Sequence, residues 1–214
     1  MRIVLTRHGK PLMDRARWLG ANAFQTYMER YRDSGLDPES PPPDSLRKLI
    51  KGAERVYTSD LKRAIESARA LAPGAEIASD AIFTEAPMAS PKIPGLKLKV
   101  PAWAVLSRVV WHGGYTPRME SYWHAKHRAQ RAMHVLVDHA KRDGLVVLVG
   151  HGYFNAILGR LLRLHGWERE GSHRADFWNT VVYEFALPEA AKRRTRRLRS
   201  GRGRSSRALA DLPT

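Results

Sequence analysis

No cysteine occurs among the 214 residues. Disulfide scaffolds, thiolate zinc sites, iron–sulfur clusters and thiol nucleophiles are thereby excluded. The absence does not fix a redox compartment, because reduced and oxidised proteins can both lack cysteine. No apolar run approaches the roughly 18 residues of a membrane span. The opening segment Met1 to Thr6 is too short for a signal-peptide core and leads straight into Arg7-His8. A soluble, cytoplasmic protein is the expectation. Acidic residues are scarce, 21 against 37 Lys and Arg, for a net charge of +16. The excess is uneven. Residues 192–214 hold nine of the basic residues and a single acid, Asp211, so this tail is +8 and the 191 residues before it carry the other +8.

What is present reads as one α/β domain followed by a basic tail. A chain of this length buries about 70% of its unfolded surface and folds without covalent staples. Residues 2–5, 55–58 and 145–149 are short β-branched runs, apolar on both faces, as in a sheet covered on both sides. Residues 81–83 and 181–185 are weaker strand candidates. Helical spacing joins Phe24, Tyr27, Met28 and Tyr31. A second stripe, Leu61, Ala64, Ile65, Ala68 and Leu71, follows Ser59 as N-cap and stops at Pro73-Gly74. A long helix is expected over about 120–142, ended by Gly144, and another through Ile157, Leu158, Leu161 and Leu162 to Gly166. Strands alternating with helices predict a three-layer α/β/α sandwich with a mostly parallel central sheet. Residues 34–45 read as a surface loop. Residues 86–118, with the apolar block Trp103 to Trp111, read as a cover over one end of the sheet with a short helix. The domain is expected over 1–187 and a basic, disordered tail over 188–214, where apolar residues are few and charge is high.

In open α/β sheets, ligands sit off the carboxyl ends of the strands. Thr6-Arg7-His8-Gly9 follows the first strand, and Ser59-Asp60-Leu61-Lys62-Arg63 follows residues 55–58. Thr84-Glu85 follows 81–83, and Gly150-His151-Gly152 follows 145–149. Two histidines, two arginines and a glutamate therefore converge on one rim. That set suits phosphoryl transfer. Arginines fork onto phosphoryl oxygens, and helix amino termini add donors. A neutral imidazole, kept so by neighbouring cations, attacks phosphorus. A second imidazole donates to an oxygen on which charge builds. A carboxyl group protonates the leaving oxygen and later activates water. No metal or other cofactor is required, because the protein supplies the cations. By position, Glu85 is favoured over Glu76 and Asp80, which precede the expected strand. Asp60 reads as a first-turn helix acid.

These motifs resemble the histidine phosphatase superfamily, also called phosphoglycerate mutase-like. The resemblance spans about residues 1–187. It is carried by Thr6-Arg7-His8-Gly9, by Ser59-Asp60-Leu61-Lys62-Arg63-Ala64 and by Val147-Leu148-Val149-Gly150-His151-Gly152. Glu120-Ser121 before the long helix and Asn179-Thr180 before the last strand add to it. The resemblance implies that His8 accepts the phosphoryl group, that Arg7, Arg63 and His151 form the phosphate pocket, and that Glu85 is the proton donor. It implies a phosphatase acting on a small phosphorylated substrate through a phosphohistidine. Three positions depart from the family pattern. Lys10-Pro11 stands where many members have an acidic or amide residue and then Thr or Ser. Asp14 stands where mutases usually have Asn. The tract that mutases close over a bisphosphorylated sugar acid is not recognisable, so net hydrolysis is favoured over phosphate shuttling. The alternatives are a phosphoglycerate-type mutase and a non-catalytic phosphate-pocket protein that binds nucleic acid through its tail.

Other features have plainer readings. His124, His127, His134 and His139 share one helix but lack a suitably spaced carboxylate or thiolate, so no metal site is assigned to them. Lys92, Lys97, Arg108 and Arg118 either read a second anionic group or are solvated charges. Residues 192–207 suit nonspecific polyanion binding by counterion release, or form a solvated extension with no dedicated partner. Nothing in the sequence fixes an oligomeric state.

Overall fold

A computed structural model of the chain describes residues 1–185. The expected boundary at 187/188 and the basic tail lie outside those residues. The strands of the central sheet are β1 (Arg2–Arg7), β3 (Arg55–Thr58), β4 (Glu76–Ser79), β6 (Leu145–Gly150), β7 (Glu168–Glu170) and β8 (Thr180–Glu184). Their order is β4-β3-β6-β1-β8-β7. Strands β4, β3, β6 and β1 run parallel. Strands β8 and β7 add an antiparallel edge. The sheet is therefore mostly parallel, as the β-branched runs require.

Alternation along the strands builds two cores. Val4, Val56, Val147, Val149 and Val182 face α2 (Asp44–Leu49) and α3 (Lys62–Leu71), packing with Leu46, Ile50, Ala68 and Leu71. The intervening residues Ile3, Leu5 and Leu148 are also fully buried. On their side α5 (Tyr122–Asp143) packs against β1 and β6, and α6 (Gly152–Leu164) packs against β1 and α5. Helix α5 starts where Ser121 Oγ accepts the His124 N–H at 3.3 Å. It stops at Gly144, whose φ of +80° favours glycine.

The region read as a cover holds more structure than expected. A two-stranded ribbon pairs β2 (Trp18–Gly20) with β5 (Lys97–Lys99), and α4 (Val100–His112) is a thirteen-residue helix. With α1 (Ala21–Asp33) they enclose Phe24, Tyr27, Val100 and Trp103. The Phe24 and Trp103 rings stack at 5.2 Å, and Trp103 Nε1 donates to the Leu19 carbonyl at 2.6 Å. Of the Trp103–Trp111 block, the two indoles are core and essentially inaccessible, whereas Val105 and Val109 on the other face of α4 are exposed.

Four expectations are corrected. Residues 81–83 form a 3₁₀ turn, and the strand is 76–79, where Ile77 and Ala78 are half-buried, Glu76 and Ser79 are exposed, and there is no long β-branched run. Asp80 therefore follows that strand; its carboxylate accepts the Ile82 N–H at 2.8 Å and caps the turn. Ser59 is not the cap of α3: the helix starts after Leu61, and Ser59 is drawn to another partner described below. Asp60 lies before the first turn, where its carboxylate accepts from the Thr84 hydroxyl. The loop expected to end at 45 already turns into α2 at Asp44.

Candidate active site

The register of the two central strands places the two histidines side by side. Arg7 pairs with Gly150 at the ends of β1 and β6, so His8 and His151 each follow as the next residue. The His8 N–H closes the ladder on the Gly150 carbonyl at 3.0 Å. Their rings meet edge to face, with centroids 5.1 Å apart. His8 is 2% exposed and His151 is 0% exposed. Small residues permit this approach. A Cβ on Gly150 would overlap the Asn155 side chain, and one on Gly9 would overlap Leu36 and Trp178.

Neighbours fix the His8 tautomer. Nδ1 lies 2.7 Å from the Gly9 carbonyl, which only accepts, so Nδ1 carries the proton. Nε2 is left with its lone pair, toward which Arg63 Nε–H donates at 3.2 Å. Burial, then the Arg63 and Arg7 charges, hold the His8 pKa well below its usual value, so the ring is neutral. His151 is held neutral in the same direction by burial, then by His8, Arg63 and Arg7. Its Nε2 lies 2.7 Å from Ser59 Oγ, and that oxygen also accepts the Leu61 N–H at 3.3 Å. With the hydroxyl proton donated to Nε2, the His151 proton sits on Nδ1, a buried atom with no partner within the protein.

Arg63 rises from the opening turn of α3 and is 3% exposed. Its Nη1 donates to the carbonyls of Tyr31 and Arg32 at 2.8 and 3.2 Å, and its guanidinium lies 4.5 Å over the Tyr31 ring. The end of α1 thus braces the cation beside His8. Arg7 donates through Nη1 to the Ala175 carbonyl and stacks 4.6 Å from the Phe177 ring, while its Nε is buried without a partner. Two buried nitrogens without a partner, Arg7 Nε and His151 Nδ1, the latter a donor when Ser59 donates to Nε2, therefore belong to residues beside His8. A buried donor left unmatched costs about 1–3 kcal/mol. An anionic oxygen relieves that cost.

Glu85 lies on the loop after the 3₁₀ turn. One carboxylate oxygen accepts the Phe154 and Ala86 N–H groups at 2.9 and 3.0 Å, and the other accepts Tyr153 N–H at 3.3 Å. The amino terminus of α6, directly after His151, so fixes the carboxylate. Arg108 lies 3.8 Å from it. That arginine also donates to the Pro87 and Ala86 carbonyls at 2.7 and 2.9 Å and lies 4.1 Å over the Tyr153 ring. Its place is beside Glu85, which the spacing of basic residues in 86–118 did not distinguish. The structure brings together Arg7, His8, Arg63 and His151 as expected. Ser59, Tyr31 and Arg108 are supporting residues that sequence reasoning missed. Only Ser59, standing at a strand end in a motif, carried a signal that might have identified it. Among the described residues, no group of three or more His, Asp or Glu side chains is placed to hold a metal ion, and no helix is long and apolar enough to cross a membrane.

The sequence profile described as histidine phosphatase superfamily (branch 1) matches residues 3–197. The chain belongs to that superfamily. Among solved structures, this superfamily member is similar to a mycobacterial glucosyl-3-phosphoglycerate phosphatase, with 20% identity, 87% of this chain and 97% of the other covered, and a TM-score of 0.52. YhfR of Bacillus stearothermophilus shares 22% identity over 76% of this chain and 79% of its own, with a TM-score of 0.51. The ecdysone phosphate phosphatase of Bombix mori, in complex with tungstate, shares 15% identity over 87% and 92%, also at 0.51. At these identities the likeness is one of fold. Comparison with curated proteins gives no match.

Proposed function

We propose that this histidine phosphatase superfamily member is a metal-independent phosphomonoesterase with His8 as its nucleophile. The observation that carries the reading is the His8 environment: a neutral imidazole of fixed tautomer, its Nε2 lone pair facing Arg63, with unmatched donors on Arg7 and His151. In the first displacement, Nε2 attacks phosphorus, a P–N bond forms and the ester P–O bond breaks. Glu85, in its protonated form, gives its proton to the departing alkoxide. In the second, Glu85 takes a proton from water, whose oxygen bonds to phosphorus as the P–N bond breaks. Arg63 must release the lone pair as it turns its charge to the phosphoryl group, so the resting hydrogen bond gates attack. Arg7 and Arg63 neutralise charge that elsewhere falls to a metal ion, and the neutral His151 adds a hydrogen bond. Hydrolysis, rather than phosphate shuttling, is also the activity named for two of the similar structures.

The test is hydrolysis of p-nitrophenyl phosphate in excess EDTA by wild type and His8→Ala. Turnover that survives the chelator and falls by at least about 10³-fold in the variant fits a covalent nucleophile. Turnover lost to EDTA and restored by a divalent ion would overturn the metal-free reading.

A further inference from the structure

Beyond His8 the chain lines a cleft of about 400 Å³, formed among others by Lys10, Met13, Asp14, Arg15, Asp37 and Phe177. Phe177 is the wall it shares with the phosphoryl site. Its ring lies 5.9 Å from the His8 ring, with the Arg7 guanidinium 4.6 Å and the Arg15 guanidinium 5.4 Å from its centroid. An ester anchored by Arg7 at His8 thus has this cleft immediately beside it.

The charges of the cleft decide what it welcomes. Lys10 and Arg15 are matched by Asp14 and Asp37, so the lining is formally neutral. Lys10 is already committed to Asp37, Nζ to carboxylate, at 2.8 Å. One Asp14 oxygen accepts the Ala16 N–H at 2.8 Å. Only Arg15 is left without a carboxylate, and its cation rests on an aromatic face. A second phosphate here would meet the mutually neutralised Lys10–Asp37 pair, the Asp14 carboxylate and the Arg15 cation, with no net positive charge to hold it. A flat apolar group would meet Phe177, Met13 and the Arg15 plane, and gain burial and cation–π contact. Lys10 and Asp14 are also the positions at which the chain departs from the family pattern, so the departures fall on this cleft.

We propose that the cleft takes the organic part of the ester and selects an uncharged aromatic group over a second phosphate. The substrate class is then the monophosphate of an alcohol carrying an aryl or heteroaryl ring. This rests on the phosphomonoesterase reading above.

The experiment compares kcat/KM for 2-phenylethyl phosphate, ethyl phosphate and propane-1,3-diyl bisphosphate, whose leaving alcohols are of similar acidity. The wild type should prefer the phenylethyl ester over the other two by about tenfold or more. Phe177→Ala should bring the phenylethyl-to-ethyl ratio to within about threefold. The ratio cancels any shared loss from disturbing Arg7. Phe177→Leu, which keeps bulk but loses the π face, should fall between them, and it replaces the alanine variant if that one does not fold. Turnover of all three esters at similar efficiency, preference for the bisphosphate, or a preference that survives both Phe177 variants would overturn the cleft's role while leaving the phosphatase reading standing. No turnover of any ester or of p-nitrophenyl phosphate would instead overturn the phosphatase reading, and the cleft assignment with it.

Discussion

At His8 the Gly9 carbonyl, the Arg63 Nε–H and near-complete burial together fix which nitrogen is protonated and keep the ring neutral. A pH consequence follows. Protonation of the nucleophile should begin only well below the usual histidine value of about 6.5. The acid limb of kcat/KM that belongs to His8 should therefore lie below the usual histidine value, as a pH–rate profile in a constant-ionic-strength buffer would show. A limb at an unshifted histidine value would mean that the ring is solvated in the working enzyme. Ser59 sets the tautomer of His151 from the other side. Ser59→Ala should lower kcat by about tenfold with a small change in KM, because the hydroxyl that orients the His151 ring is lost while the substrate contacts remain. Ser59→Thr, which keeps the hydroxyl, should restore most of it. The proton-donor role of Glu85 has its own signature. Glu85→Gln should slow an alkyl phosphate far more than p-nitrophenyl phosphate, whose leaving group departs without a proton. Equal losses with both substrates would count against that role.

Among the elements, those with strong periodic or β-branched patterns were legible from sequence: β1, β3, β6, and helices α3, α5 and α6. Strands β1 and β6 lead directly into His8 and His151, and β3 leads into the turn of α3 that carries Arg63, because a buried parallel strand is apolar on both faces and ends where polar chemistry begins. Strand β4 was misplaced by five residues. Glu76 to Ser79 is an edge segment with no fully buried side chain, so little hydrophobic patterning marks it. The positional argument that favoured Glu85 over Asp80 does not hold, because Asp80 follows β4; Asp80 is set aside by its own capping bond. The ribbon of β2 and β5 is three residues long on each side and had no signal of its own. Arg128 shows how contacts between distant elements escape sequence reading. It binds both Glu120 oxygens, at 2.9 and 2.7 Å, and the Ile82 and Thr84 carbonyls, at 2.9 and 2.7 Å, tying α5 to the segment that carries Glu85. Arg128→Leu should destabilise the fold by about 1–3 kcal/mol in denaturant melts, discounted for partial exposure. It should also reduce kcat more than it changes KM, since the Glu85 loop loses its mooring.

Across the whole molecule, several histidines are folded into neutral states. His8 and His151 have lowered pKa values, and burial brings His173, which lies 2.8 Å from the Tyr183 hydroxyl, down to about 4. The unfolded chain binds protons at these groups from about pH 6.5 downward, while the folded chain does not. Stability contributed by their neutral forms is therefore complete above about pH 6.5 and is lost as pH falls through and below that value, at up to about 1.4 kcal/mol per pH unit for each group. For His173 the loss is complete near pH 4. Urea midpoints between pH 7.5 and 5 should fall accordingly, and His173→Gln should flatten part of that slope. The net charge of +16 adds self-repulsion that grows as carboxylates protonate, in the same direction.

The central claim is that His8 carries the phosphoryl group. Mixing the enzyme with a ³²P-labelled ester, quenching within a turnover in alkali and mapping the labelled peptide tests it directly, because phosphohistidine survives alkali and is lost in acid. The expected result is label on the peptide containing His8, acid-labile, and absent from His8→Ala. Sustained turnover with no label on His8, or undiminished turnover by His8→Ala, would contradict the mechanism at its first step.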